Sequence, residues 1–334
     1  MTIKDLAART GYAPATVSRV LNDHPNVSQK ARQVILAEVA RSGFQLNPNA
    51  KQLKQQRATS LLVVVKGTSN ELFARLVEQI QSLAADTRYP VNVDYLDEED
   101  NEVLRAVRLC REKKPLGILF LGGNTENFRQ DFEKIDVPCV VVTNDMSSLD
   151  FANLSSVSVD GWEASRRVIH ALADRNHRQV VLVGGDRVQS DTGRQRYQGC
   201  LEGFRERDME FDEELDYVHV RYCYEGGYSG TKLLLERGRK FTALYAAADV
   251  MAIGAIRALR EAGLRVPEDV SVVGYDGLTI GAYLVPQLTT VIQPVRELAG
   301  RSMEILLECI EAEGKARHET VDFALALRES TQTL

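Results

Sequence analysis

A helix–turn–helix pattern at the N-terminus constrains this chain more than any other feature. The run Thr2-Ile3-Lys4-Asp5-Leu6-Ala7-Ala8 leads through Gly11 to Ala15-Thr16-Val17-Ser18-Arg19-Val20-Leu21-Asn22. Leu6, Ala7, Val17, Val20 and Leu21 recur at helical spacing, which predicts two short helices sharing an apolar seam. Thr2 with Asp5 three residues on reads as a helix-start box. Gly11 suits the left-handed residue that closes the first helix, and Pro14 suits the first turn of the second. The outward face of that second helix carries Ala15, Ser18, Arg19 and Asn22. Small residues, a hydroxyl, a fork of donors and an amide are what a helix in a DNA major groove needs. A third helix is expected from a cap at Ser28 to Gly43, with Ala31, Val34, Ile35 and Val39 turned inward.

Charge separates this head from the rest. Residues 1–57 hold nine Lys and Arg against three Asp and Glu, a net of +6 in a chain of −6, so residues 58–334 carry −12. A basic head on an acidic body focuses the field where phosphates would sit and keeps the body off DNA. The head reads as a DNA-binding domain.

The same run, continued by Val27-Ser28, closely resembles the lactose/galactose-repressor family of bacterial transcription regulators. The resemblance extends through Asn47-Pro48-Asn49-Ala50 and Asn70-Glu71-Leu72-Phe73 to Asp249-Val250-Met251-Ala252. It continues through Val273-Gly274-Tyr275-Asp276 and Pro286-Gln287-Leu288-Thr289-Thr290 to the end of the chain. It implies DNA contacts at Thr2, Pro14, Thr16 and Asn26 in addition to the Ala15–Asn22 face. In that family the stretch matching Asn47 to Thr59 folds into a hinge helix on DNA, where leucines paired from two subunits wedge into the minor groove. Leu53 stands at the matching position, with Asn47, Ala50 and Lys54 as accompanying contacts. On composition alone this Gln- and Lys-rich segment is a linker in which only Ala50 and Leu53 could pack. Leu46 stands where the family often has Pro, which leaves the hinge entry less rigid.

Length and composition are compatible with a small domain and a large one, at 334 residues and 44% hydrophobic content. We divide the chain into a head at 1–46, a hinge at 47–59 and an effector-binding and dimerisation body at 60–334. No run of apolar residues is long enough to span a bilayer and no signal region opens the chain, so a cytoplasmic protein without a membrane partner is expected. Cys110, Cys139, Cys200, Cys223 and Cys309 show neither paired nor ligand-like spacing and read as small buried hydrophobes in a reducing compartment.

From Leu61 onward, apolar strands alternate with amphipathic helices. Ten strands are expected, from Leu61–Val65 to Thr289–Ile292, with Val157–Val159 and Ser271–Val273 among them. Helices are expected between them, including Gly199–Arg207, Tyr228–Arg237 and Met251–Ala262. Such alternation implies parallel sheets covered on both faces, and ten strands imply two α/β subdomains. The resemblance implies the periplasmic-binding-protein fold, crossing between halves near Val159–Gly161, Gln293 and Val321. That gives an N-subdomain of about 60–159 and 293–320, and a C-subdomain of about 161–290 and 321–334. Ligand is expected at the carboxyl ends of the strands, in the cleft between the halves.

Asp276 closes the strand Val270–Tyr275, where a carboxylate can accept two hydrogen bonds from adjacent hydroxyls or an amine. A loop opened by Gly184-Gly185-Asp186 is expected to carry Ser190, Thr192 and Arg196, and Thr192-Gly193-x-x-Arg196 resembles the effector loop of purine and sugar repressors. Arg196 offers a rigid donor fork for vicinal hydroxyls, a carboxylate or a ring carbonyl, or else a structural ion pair. Phe73 either stacks on a ligand ring or packs in its own subdomain. Tyr222 matches an aromatic wall position, with Tyr224 as the alternative register. Asp160, at a crossover, could contribute a further carboxylate. Ala248 replaces a polar residue usual in the family, and Asp249 is expected to cap the following helix.

Nothing points to catalysis. His24, His170, His177, His219 and His318 do not cluster with cysteines or carboxylates at metal spacings, and no nucleophile elbow or phosphate-binding glycine fingerprint is present. The expectation is therefore a cofactor-free and metal-free regulator that binds a near-palindromic operator as a homodimer, since no leucine heptads close the chain. Its effector is expected to be a sugar or sugar derivative, with a nucleoside or purine as the alternative. A solute-binding protein would share the body but has no use for the basic head.

Overall fold

The computed structural model describes residues 3–21, 27–42, 60–68, 70–188, 190–312 and 314–334. Thr2, Asn22, Asn26, Gly43, Asn47, Ala50, Leu53 and Lys54 lie outside the described residues. The chain divides into two units, Met1–Arg57 and Ala58–Leu334.

The head contains α1 (Ile3–Thr10), α2 (Pro14–Leu21) and α3 (Gln29–Ser42). Leu6, Val17 and Ile35 have no exposed surface, and Ala7, Val20 and Ala31 are also buried. This is the seam expected from the spacing. Gly11 takes φ +71° and its amide donates to the Ala7 carbonyl at 3.0 Å, a left-handed turn that a side chain would strain. Pro14 opens α2, where its missing N–H costs nothing. Ser28 Oγ accepts from Ala31 N at 3.3 Å and caps α3. Val34 departs from expectation: it is 40% exposed, because Ala31 and Ile35 define the buried stripe and Val34 lies on its edge.

Among the described residues the body forms two six-stranded sheets. In chain order its elements are β1 (Leu61–Lys66), α4 (Glu71–Ala85), β2 (Val91–Leu96), α5 (Glu102–Lys113), β3 (Gly117–Leu121), α6 (Thr125–Asp131), β4 (Cys139–Val142) and β5 (Leu154–Val159). Then come α7 (Gly161–Ala173), β6 (Val180–Gly184), α8 (Asp191–Glu206), α9 (Glu213–Asp216), β7 (Tyr217–His219), α10 (Tyr224–Glu236), β8 (Ala243–Ala246), α11 (Asp249–Glu261) and β9 (Ser271–Asp276). The chain ends with β10 (Thr289–Ile292), α12 (Val295–Glu311), β11 (His318–Val321) and β12 (Ala324–Ala326).

Lobe 1 has strand order β11-β5-β4-β3-β1-β2 and lobe 2 has β12-β10-β9-β8-β6-β7. All pairings are parallel except β10 with β12. The chain passes between lobes after β5, after β10 and between β11 and β12. Strands such as β1, β3 and β4 are continuous Val/Leu/Ile/Phe runs buried along their length, as strands covered on both faces must be.

Two strands were not anticipated. β11 and β12 are short edge strands with half-exposed residues, so neither carries the apolar run that marks its neighbours. β5 starts at Leu154 rather than Val157, because Ser155 and Ser156 are buried there with their hydroxyls satisfied. Arg317 N donates to Ser155 Oγ at 3.1 Å, and Ser156 Oγ meets Met146 N at 3.1 Å and His318 Nδ1 at 2.8 Å. Helix α8 begins at Asp191, not Gly199, so Thr192 and Arg196 stand on its first turns and not in a loop. Ring stacking anchors α6: Phe128 packs edge-on against Phe120 of β3 at 5.1 Å and against Phe132 at 5.6 Å. That fixes the helix whose first residues face the cleft.

Candidate functional site

Strands β1, β2 and β3 of lobe 1 and β6 of lobe 2 end on one cleft, and the helices that follow them start there. Asn70, Asn101 and Asn124 occupy the caps of α4, α5 and α6, accepting from Leu72 N at 3.0 Å, Leu104 N at 2.9 Å and Glu126 N at 2.9 Å. Ser190 caps α8 by accepting from Gly193 N at 3.1 Å. Between the lobes lies a cavity of 670 Å³ lined by residues of both. That is within the range of small-molecule sites and large enough for more than one sugar ring.

Asp276 is its most constrained residue. It is 5% exposed and takes φ +114°, a conformation a non-glycine residue rarely adopts and one that often marks a functional position. Gln293 Nε2 donates to Asp276 Oδ1 at 2.8 Å, and Arg196 Nη2 lies 4.0 Å from the same oxygen. Burial pushes the Asp276 carboxyl up to about 6, against the opposing pull of Arg196 and Gln293. Arg196 is itself buried, with its guanidinium 3.6 Å above the centre of the Tyr275 ring and Nη1 donating to the Ala247 carbonyl. A buried cation that is stacked and bonded on two sides is a rigid donor fork. The hydrogen bond and ion pair leave the second carboxylate oxygen, Oδ2, for a ligand.

Phe73, Ser190, Thr192, Arg196, Tyr222 and Asp276 all line this cavity. Phe73 is 8% exposed and lies against Gly122, where a Cβ would stand 3.0 Å from its ring. Thr192 Oγ1 accepts from Asn144 Nδ2 at 3.0 Å, a bond that crosses from lobe 2 to lobe 1. Tyr222 presses on Gly185, where a Cβ would be 2.2 Å from its ring. Tyr224 instead is exposed and hydrogen-bonds Glu71 across the lobes.

Two expectations are corrected. Asp160 does not line the cavity; it is exposed and caps α7, accepting from Glu163 N at 2.9 Å. Asp249 does not cap α11, whose cap position is Ala248. Its buried carboxylate instead accepts from Thr290 Oγ1 and Leu278 N, both at 2.6 Å, and so ties α11 to β10 and to the turn after β9. Burial, with the charge of Asp276 nearby, pushes this carboxyl up to about 8. Gly274 is required beside it, since a Cβ there would be 2.2 Å from Asp249 Oδ1.

Sequence reasoning missed Lys66, Asn101, Asn124, Asn127, Asn144, Arg221 and the side chain of Gln293 as cavity residues. A legible signal did exist, since an Asn immediately after a strand and before a helix caps that helix at the ligand end of the sheet. The three lining cations Lys66, Arg196 and Arg221 face carboxylates of Glu102, Asp276, and Asp97 with Glu98 respectively.

In the head, Pro14, Ala15 and Arg19 are exposed on α2 while Thr16 and Ser18 are half-buried. Glu38 is bonded to Arg41 at 2.8 Å and lies 3.6 Å from Arg9. Among the described residues no group of three or more His, Cys, Asp and Glu could hold a metal, and no helix is long and apolar enough to cross a membrane.

Residues 2–47 match the model of the bacterial regulatory proteins, lacI family, and residues 169–331 match the periplasmic binding protein-like domain. The chain is 32% identical to the HTH-type transcriptional regulator MalR of Clostridium butyricum, over 99% of both chains. It is 28% identical to catabolite control protein A of Priestia megaterium, over 94% of this chain and 93% of that one. Among solved structures it resembles the lac repressor dimer bound to operator and the anti-inducer ONPF, with a TM-score of 0.74 and 26% identity over 99% of each chain. The transcriptional regulator CelR–cellobiose complex matches with a TM-score of 0.73 and 25% identity, again over 99% of each.

Proposed function

The chain belongs to the lacI family of bacterial regulatory proteins, DNA-binding transcriptional regulators, and on that premise we propose that an uncharged sugar in the cleft sets its operator affinity. The observation that carries this reading is the charge state of the cavity. Each lining cation faces a carboxylate, so the walls offer paired charges and amides rather than a bare positive site. Hydroxyls, each both donor and acceptor, suit such walls; a phosphate would need a cation to leave its partner. This narrows the expected class from sugars and their derivatives to neutral sugars. CelR holds cellobiose in a body of the same fold, which supports the class.

In this reading Asp276 and Arg196 take adjacent hydroxyls in pairs, and Phe73 and Tyr222 stack on ring faces. Arg19, Ser18 and Ala15 read base edges, with Asn22 and Asn26 continuing the contact. Leu53, flanked by Asn47, Ala50 and Lys54, wedges the minor groove. Two copies act together on a near-palindromic operator; the lac repressor is bound to its operator as a dimer, which supports this. Ile280, Tyr283 and Val285, which are 40%, 81% and 94% exposed, form an apolar surface suited to pairing two bodies. The sugar shifts operator affinity by changing the angle between lobes, hence the population of hinge pairs that can fold on DNA. The protein works in the cytoplasm as a binder, not a catalyst. Calorimetry with neutral sugars, sugar phosphates and nucleosides tests the assignment. Binding confined to neutral sugars supports it, and binding confined to phosphates or nucleosides overturns it.

A further inference from the structure

We propose that the lobe-1 end of the cavity is a second pyranose subsite, so that the effector is a disaccharide rather than a single ring. This rests on the reading of the cleft as a neutral-sugar site. Two of the cavity's polar groups are bonded internally and share no hydrogen bond with each other among the described residues. One is the Asp276–Arg196–Gln293 group, whose fork and carboxylate suit one ring.

The other is built on Glu102, whose side chain has no exposed surface. Its carboxylate accepts from Asn124 N at 2.6 Å, from Asn127 Nδ2 at 2.9 Å and from Lys66 Nζ. Lys66 Nζ also donates to the Asp100 carbonyl at 2.6 Å. An ammonium has three donors, so one remains for a ligand hydroxyl. Asn127 commits one amide hydrogen to Glu102 and keeps its carbonyl oxygen as an acceptor. Lys66 and Glu102 cancel in charge, so the group favours hydroxyls over anions.

An apolar face completes the subsite. Above Gly122, the space a Cβ would occupy is 3.0 Å from the Phe73 ring and 3.6 Å from Lys66 Cβ, so ring and lysine stem flank the same glycine. A stacking ring beside a donor and an acceptor, both on the cavity wall, is the composition of a sugar subsite. Glu102 is its positioning residue, for it touches no ligand and fixes the two side chains that do.

Calorimetry on the full chain tests this with glucose, galactose, maltose, cellobiose and lactose, against wild type, Asn127→Ala, Lys66→Met and Asp276→Asn. We expect one disaccharide to bind at least about tenfold more tightly than its constituent monosaccharides. Asn127→Ala and Lys66→Met each bring its affinity down toward that of the single ring, whereas Asp276→Asn weakens both ligands. Asn127 is on the cavity surface, so its variant stays informative if Lys66→Met does not fold. Single rings binding as tightly as every disaccharide, or an advantage that survives both variants, overturns the second subsite and leaves the sugar site standing. Failure of all five sugars to bind wild type overturns the sugar site, and the subsite with it.

Discussion

Gln293 is bonded to Asp276 twice over: its side-chain Nε2 reaches Oδ1 at 2.8 Å and its backbone N reaches the Asp276 carbonyl at 3.3 Å. Asp276 ends β9 of lobe 2, while Gln293 begins the passage from β10 to α12 of lobe 1. The group assigned to grip the effector is therefore hydrogen-bonded to one of the three segments on which the lobes turn.

This makes Gln293 a coupling position as well as a wall. Asp276→Asn removes a charge-assisted acceptor and should weaken sugar binding by about 1.5–3 kcal/mol, with operator affinity in the absence of sugar little changed. Gln293→Ala should weaken sugar binding by about 1–3 kcal/mol and also reduce the effect of bound sugar on operator affinity. Calorimetry gives the first quantity, and operator titrations with and without saturating sugar give the second. Equal coupling in Gln293→Ala and wild type would confine Gln293 to a ligand contact.

Protonation adds a second handle. Burial raises the Asp276 carboxyl to about 6 and Asp249 to about 8, both from an ordinary 3.8. A raised carboxyl means the folded state holds its proton more tightly than the unfolded state, so the stability it contributes is fully present below about pH 4 and is lost as pH rises through the folded value. The body should therefore lose thermal stability between pH 6 and 8 through Asp249, and Asp249→Asn should flatten that segment of the melting profile. Sugar affinity should move the other way, because the ionised Asp276 is the better acceptor: it falls with acidification below about pH 6, and Asp276→Asn abolishes the dependence. Melting curves and calorimetry across pH read both.

Sequence alone exposed much of the fold and part of the site, for identifiable physical reasons. Strands buried on both faces, such as Leu61–Lys66 and Gly117–Leu121, announce themselves as unbroken apolar runs. Edge strands such as His318–Val321 do not, since half their residues face solvent and their pairing is set by a distant partner. Asp276 and Arg196 were legible as residues, but their convergence depends on a helix at Asp191–Glu206 whose start was hidden by polar and glycine residues. Ser155 and Ser156 looked like loop because their hydroxyl partners lie far along the chain. Asp160, expected at the ligand, caps α7, and Asp249, expected to cap α11, instead ties it to β10 and to the turn after β9. A carboxylate near a helix start can cap it or reach elsewhere, and only the third dimension decides.

On the DNA side, the exposed Arg19 on α2 carries the base-reading assignment. Arg19→Ala should cost about 1–3 kcal/mol per half-site and relax preference at one base position, with sugar binding intact. Operator affinity should also fall steeply with salt, as several phosphates are neutralised by each head. Competition binding over a randomised half-site distinguishes this from a phosphate contact, which would weaken all sequences alike.

Pairing of two bodies is assigned to the patch around Tyr283 and Val285, 81% and 94% exposed. Tyr283→Asp places a charge in that contact and should shift the protein toward monomer in sedimentation, with loss of operator binding and retention of sugar binding. A dimer that persists in this variant would move the interface elsewhere.

A neutral sugar held by Asp276 is assigned control of DNA binding by the head. Fluorescence anisotropy on a palindromic operator, titrated with the tightest-binding neutral sugar, measures that link directly. Saturating sugar should shift operator affinity of wild type by about five- to 150-fold, and Asp276→Asn should require far more sugar for the same shift. Operator affinity indifferent to a sugar that calorimetry shows bound, or a shift that Asp276→Asn leaves at the same sugar concentration, would contradict it.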